Sequence, residues 1–193
     1  SRSDSLTDGD TYLWCGIKKR LEGKITVDGE TYRFLGTGKE AALPQTDVEI
    51  KPCLDCGFCK KEGNATCMQK DAMADIYAKL AEADAVVFGM PVYFGRPNAP
   101  FLQFNDRMYA MMNPDFSPRL PTGKKFATVI TLGGGGLETV EPMHATLAGI
   151  FCGAFGWKDC GFLWKNMMHD RKAAAGQPES LAEAKAFGKK LTE

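Results

Sequence analysis

The chain has 193 residues, enough for one domain that buries a core without disulfide staples. Lys and Arg total 24 and Asp and Glu total 24, so the formal net charge is zero, without the basic excess of a nucleic-acid binder. With 44% hydrophobic and 25% charged residues the chain is not disordered, and no apolar run reaches the ~18 residues that would span a bilayer.

Residues 3–22 read as a helix, because Leu13, Ile17 and Leu21 recur at i, i+4 and i+8 and Gly23 is a stop. From Lys24 to Lys51 the pattern breaks into short strand candidates, ITV, TYRFL and VEI, separated by Asp28-Gly29, a Gly-Thr-Gly stretch and Pro44. A cysteine loop occupies 52–68. Asp71 can cap a helix to about Glu82 with Met73, Ile76, Tyr77 and Leu80 on one side. Residues 84–90, DAVVFGM, form a buried strand, and PVYFGRPN a loop. Pro100 opens a helix that reaches about Met112 with Phe101, Phe104 and Met108 inward. FATVITL, 126–132, is a second buried strand, ended by four glycines. Val140, Met143, Leu147, Ile150 and Phe151 mark the next helix, 157–164 the last strand, and 178–193 a closing helix.

Strands alternate with helices, and the clearest strands are continuous apolar runs. That pattern predicts an α/β fold with a parallel sheet covered on both faces, in one domain over 1–193. Ligands of such sheets bind beyond the carboxyl ends of the strands. Three loops are placed there. SRSDSLTD is hydroxyl-rich and opens a helix, which suits a phosphate. PVYFGRPN presents Tyr93 and Phe94 to a flat ring, and LGGGGLET offers backbone that a ligand can approach closely. Together they describe a site for a phosphorylated aromatic cofactor. His144 reads as a satisfied, partly buried histidine and His169 as a surface one. Cys15, Cys152 and Cys160 read as small buried apolar residues, and Met108, Met111 and Met112 as helix packing.

Four of the seven cysteines lie within fifteen residues as Cys53-x2-Cys56-x2-Cys59-x7-Cys67. An odd total, with vicinal pairs poorly spaced for bridging, argues against a disulfide framework and for a reducing, cytoplasmic setting. No secretory leader is visible in the residues given. Three evenly spaced thiols in a tight loop suit three corners of a [4Fe–4S] cluster. Zinc, which usually takes two separated Cys-x2-Cys pairs, and free redox thiols remain alternatives.

With these motifs the chain resembles the iron–sulfur flavoproteins, a branch of the flavodoxin-like, NAD(P)H-dependent FMN reductases. The resemblance rests on the cysteine motif, on residues 71–107 with their Pro-Val-Tyr-x-Gly loop and closing Asp106-Arg107, on 124–156, and on RSDSLT. It is weakest over 23–50. It implies a flavodoxin-like doubly wound parallel sheet of order 2-1-3-4-5 with the cysteine loop inserted. In the family a first strand and a Gly-Ser precede the phosphate-loop Arg; here Ser1 stands directly before Arg2, so that strand is expected to be absent from this chain. By position, the resemblance assigns Arg2, Ser5, Leu6 and Thr7 to the FMN phosphate. It assigns Pro91, Val92, Tyr93, Phe94 and Gly95 to the isoalloxazine, with Gly133 and Gly134 on the ring's other side, and Cys53, Cys56, Cys59 and Cys67 to the cluster. It further implies a homodimer or homotetramer, and a ferredoxin-like electron carrier or NAD(P)H as donor. The expected function is electron transfer between a [4Fe–4S] cluster and FMN. The alternatives are a cluster-free NAD(P)H-dependent FMN or quinone reductase and a zinc-stabilised, non-catalytic interaction domain.

Overall fold

β-branched and aromatic residues between polar breaks build the first two strands, β1 (Arg20–Val27) and β2 (Glu30–Thr37). They pair antiparallel from Arg20↔Thr37 to Val27↔Glu30, so the Asp28-Gly29 break expected from the sequence falls between them. The computed structural model describes residues 20–27 and 30–37 by their backbone, and 50–169, 173–174 and 176–191 in full. The helix expected over 3–22 is corrected at its end, because Arg20, Leu21 and Glu22 lie in β1. Its remainder, Cys15 and most of the VEI segment lie outside the described residues, and Ile50 belongs to no regular element.

A second sheet has the order β4-β3-β5-β6, with β3 (Ala85–Tyr93), β4 (Arg96–Pro97), β5 (Lys125–Thr131) and β6 (Lys158–Lys165). β3, β5 and β6 are parallel, and β4 folds back antiparallel on β3. The fold is therefore α/β with a mixed, mostly parallel sheet rather than the wholly parallel one expected. Between the strands run α1 (Met73–Glu82), α2 (Ala99–Arg107) and α3 (Leu137–Ala148), and α4 (Pro178–Lys190) follows β6. α2 ends at Arg107 and passes into a 3-10 turn over Met108–Met111.

Apolar runs decide which faces close. β5 buries five consecutive residues, Phe126 to Ile130, so both its faces are covered, as in the centre of a parallel sheet. β3 instead alternates, with Val86, Phe88 and Met90 buried and Ala85 and Val87 exposed. The Phe88 ring sits among Phe101, Phe104, Phe126 and Phe151 with centroids 5.6, 5.4, 5.9 and 4.7 Å away, joining sheet, α2 and the turn after α3. His144 is satisfied as expected. Its Nδ1 is 2.9 Å from Thr128 Oγ1 and its Nε2 3.2 Å from Asp159 Oδ2, tying α3 to β5 and β6. His169 is exposed, Met108, Met111 and Met112 are buried, and Cys152 and Cys160 are half-buried.

The register sets the working end of the sheet. Pro91 pairs with Thr131, and Thr131 with Lys165, so the parallel pairing of all three strands ends at one level. The loops that leave β3 and β5 stand side by side beyond it.

Candidate functional site

The segment PVYFGRP, expected as a loop, continues β3 through Tyr93 and returns as β4, with Val92↔Pro97 and Tyr93↔Arg96 paired. Its two-residue connection has φ +51° at Phe94 and +75° at Gly95. Positive φ at both central positions defines the hairpin turn whose twist matches its strands, normally filled by Asn-Gly. Gly95 takes that conformation freely. Phe94 does not, and a bulky side chain there costs about 1–2 kcal/mol. The Phe94 ring is fully exposed and gains no burial in return, while Tyr93 is half-exposed and Pro91 and Val92 are half-buried. Strain with no packing gain singles out Phe94 as a candidate functional position.

Directly after the hairpin, Asn98 starts α2. Its carbonyl accepts the Phe101 and Leu102 amides at 3.0 and 3.1 Å. Its side-chain amide is 1% exposed, yet among the described residues neither the oxygen nor the nitrogen has a hydrogen-bond partner. On the neighbouring strand, β5 ends in Gly133 to Gly136 before α3. A Cβ on Gly134 would meet no atom of the described residues within 4 Å, whereas one on Gly133 would stand 3.0 Å from the His169 ring. Glu138 accepts the Gly136 amide at 2.9 Å, which fixes the loop's exit into α3. The hairpin and glycine loops are thus brought to one end of the sheet. Arg2, Ser5, Leu6 and Thr7 lie outside the described residues.

The cysteine loop packs on the other end of α2. Cys53 and Cys56 are exposed, and Cys59 and Cys67 are half-buried against the core. Asp55 and Gly57, on either side of Cys56, have φ +48° and +65°, which winds the chain tightly around it. The Cys56 thiol donates to Met68 Sδ at 3.6 Å. Among the described residues no three Cys, His, Asp or Glu side chains are already gathered for a metal ion, so the loop carries the four thiols without converging them.

Three cations fix this loop, and sequence reasoning gave none of them a role. Arg119 donates to the Cys59 carbonyl at 2.8 Å, to Ala110 O at 3.1 Å and to Asn113 Oδ1 at 2.9 Å. Lys60 donates to the carbonyls of Tyr109 and Met112, both at 2.6 Å, with its ammonium 3.8 Å above the Tyr109 ring. Burial, with Arg119 adding to it, pulls the Lys60 pKa down against the opposing pull of Cys59. Arg107 and Asp71 form an ion pair at 2.6 Å with both side chains 1% exposed. Asp71 also accepts the Lys51 and Met73 amides at 2.9 and 3.1 Å. Burial acts to raise the Asp71 pKa, but these bonds and the Arg107 charge outweigh it and hold the carboxyl below the usual carboxylate range. An open hollow of about 1080 Å³ runs beside the loop, walled by Lys60, Tyr77, Met111 and Arg119. Long-range pairs such as 71 with 107 leave no periodic signal in a sequence. The one cue was the closing Asp106-Arg107, noticed only as part of a motif.

The profile of the NADPH-dependent FMN reductase family matches residues 23–159, and the chain belongs to that family, whose members are flavodoxin-like flavin-dependent redox proteins. Its relatives include an iron–sulfur flavoprotein of Methanocaldococcus jannaschii, 34% identical over 98 residues, which are 51% of this chain and 49% of that one. An iron–sulfur flavoprotein of Archaeoglobus fulgidus is 36% identical over 106 residues, 51% of each chain. The chain spans about half the length of the curated relatives it matches. Among solved structures, an azoreductase from Bacillus anthracis shares 23% identity over 63% of each chain, with a TM-score of 0.40. No helix among the described residues is long and apolar enough to cross a membrane.

Proposed function

We propose that this single-domain chain binds FMN at the ends of β3 and β5, holds a [4Fe–4S] cluster on Cys53, Cys56, Cys59 and Cys67, and moves electrons between them as a flavin-dependent oxidoreductase. The observation that carries this reading is α2. The helix begins at the hairpin and ends in Arg107, which grips the cysteine loop, so one rigid element of nine residues, about 14 Å long, joins the two candidate sites.

The residues present fit both groups. For FMN, the strained Phe94, the open space over Gly134 and the unpartnered Asn98 amide mark the hairpin side as a cradle for a flat ring with polar edges. For the cluster, the donor set is four thiols on one short loop, none of them in a disulfide. When bound, FMN supplies one- or two-electron chemistry and the cluster single-electron chemistry. The protein's own part is to hold and shield. Tyr93 and Phe94 would hold the ring, Gly133 and Gly134 would let it approach the backbone, and Arg119, Lys60 and Arg107 keep the thiol loop against the fold. No side-chain acid or base is required for the transfer itself. In this reading the electron donor is NAD(P)H or a ferredoxin-like carrier, and the assembly is a homodimer or homotetramer.

A second reading, a cluster-free NAD(P)H-dependent FMN or quinone reductase, draws on the thiols not being gathered for a metal ion. Iron analysis separates the two.

The flavin site is tested by Gly134→Val. The position is open and lacks a positive φ, so stability should change by no more than about 0.5 kcal/mol, while the added methyls intrude on the ring's space. FMN affinity, read by fluorescence titration, is expected to fall tenfold or more. Unchanged affinity would remove Gly134 from the site.

Phe94→Asn should act in two directions. Asn suits the left-handed turn, so the flavin-free protein is expected to gain about 1 kcal/mol in chemical denaturation. Loss of the ring is expected to weaken FMN binding by roughly two- to tenfold, the value of one aromatic contact. A variant that is no more stable and binds FMN as before would assign Phe94 to neither role.

A further inference from the structure

We propose that Arg119 is a positioning residue for Cys59: it holds the Cys59 carbonyl and keeps a fixed positive charge close to that thiol, which raises the reduction potential of a cluster on the loop. This rests on the reading of the loop as a cluster site.

Cys59 is held differently from the other three thiol residues. Arg119 Nη2 donates to its carbonyl oxygen at 2.8 Å, and among the described residues no side chain donates to the carbonyl of Cys53, Cys56 or Cys67. The next residue, Lys60, donates from its ammonium to Tyr109 O and Met112 O, both at 2.6 Å. These bonds join the Cys59 end of the loop to the 3-10 turn that follows α2. Arg119 itself has little freedom. Its amide donates to Met111 O at 2.8 Å, its Nε to Asn113 Oδ1 at 2.9 Å and its Nη1 to Ala110 O at 3.1 Å. The loop before it, 112–118, is closed by the Met112↔Pro118 bridge and by the Asn113 amide, which donates to Ser117 O at 2.8 Å. Each of the three guanidinium nitrogens is thus committed to an acceptor, and the charge is fixed in place.

Covalent geometry bounds the distance from that charge to the sulfur. A residue's own carbonyl oxygen and Sγ are at most about 5 Å apart, so Arg119 Nη2 stands within about 8 Å of the Cys59 sulfur in any rotamer. That is no more than the screening length of physiological salt, and Arg119 is half-buried, so its charge is screened little. A guanidinium keeps its charge at every working pH. The acidic residues of the loop, Asp55 and Glu62, are exposed, where water and salt weaken their opposing effect. A thiolate-bound cluster gains one negative charge on one-electron reduction. The cation beside Cys59 favours that state, so it raises the potential.

The test compares anaerobically purified wild type, Arg119→Met and Arg119→Lys, with iron, flavin and cluster midpoint potential measured for each. Arg119→Met removes the charge and is expected to keep its flavin, with a midpoint potential more negative than wild type. Arg119→Lys keeps the charge without the fork and should lie close to the wild-type value. A Met variant with the wild-type potential, or a Lys variant shifted as far as the Met one, overturns the proposal. Should Arg119→Met lose its iron, the wild type decides. With arginine isotope-labelled and assigned by difference from Arg119→Lys, the Arg119 guanidinium resonances should shift on cluster reduction, and resonances that stay in place overturn the proposal. Wild-type protein without iron would instead sink the parent reading of the loop.

Discussion

Cys56→Ser is expected to strip iron from the protein and leave its flavin in place. Cys56 is the middle thiol of the Cys53-x2-Cys56-x2-Cys59 run, exposed, with a weak contact to Met68 as its side chain's hydrogen bond. A surface replacement that keeps a small polar group should change stability by about 0.5 kcal/mol or less. Oxygen is a poor substitute for a thiolate on iron, so the effect falls on the cluster rather than on the fold. Iron and acid-labile sulfide should drop from about four each per chain to well under one, with flavin content within error of wild type. Iron that survives the replacement would take Cys56 out of the ligand set.

Arg107→Met is expected to destabilise the protein by about 3–5 kcal/mol, because it leaves the buried Asp71 carboxylate without its cation. The effect has a defined pH dependence. The folded-state pKa of Asp71 lies below its unfolded value, so the pair's contribution is complete above about pH 4 and is lost as the pH falls through the folded value. In the Met variant burial dominates and the carboxyl protonates more readily. The gap between wild type and variant should therefore be widest near pH 7 and narrow towards pH 3.5. Urea melts at the two pH values measure it, and an equal gap at both would contradict the account. In the same melts Asp71→Asn, which keeps the shape but removes the negative charge, should weaken the clamp with a flatter pH profile.

How much of this was legible beforehand varies by residue. β5 could be read because Phe126, Ala127, Val129 and Ile130 make a run that is apolar but for Thr128, which a strand covered on both faces needs. α1 and α2 could be read from Met73, Tyr77 and Leu80 and from Phe101 and Phe104, which repeat at helical spacing and are buried. The start of β1, Arg20 to Glu22, was misread because Leu13, Ile17 and Leu21 mimic that spacing, whereas its ITV end was read as a strand. The hairpin at 92–97 was missed for a different reason. Its turn is the kind that Asn-Gly announces, and Phe94 stands where Asn would have been the signal.

The site divides in the same way. The cysteine spacing and the glycine run are local patterns, visible in one stretch of sequence. The cations that hold the cysteine loop act across long separations, Arg107 on Asp71 over 36 residues and Arg119 on Cys59 over 60. Such contacts follow from tertiary packing and leave no trace in periodicity. Their common effect is to anchor the base and one flank of the loop while Cys53 and Cys56 stay open to solvent.

The central claim is that one chain joins a flavin and an iron–sulfur cluster. An anaerobic absorption spectrum of the purified protein, with flavin, iron, zinc and acid-labile sulfide counted per chain, tests it most directly. The account predicts flavin bands above a broad brown shoulder, with iron and sulfide near four each per chain, as a cubane requires. Flavin bands with no iron, or zinc with no flavin, would contradict it.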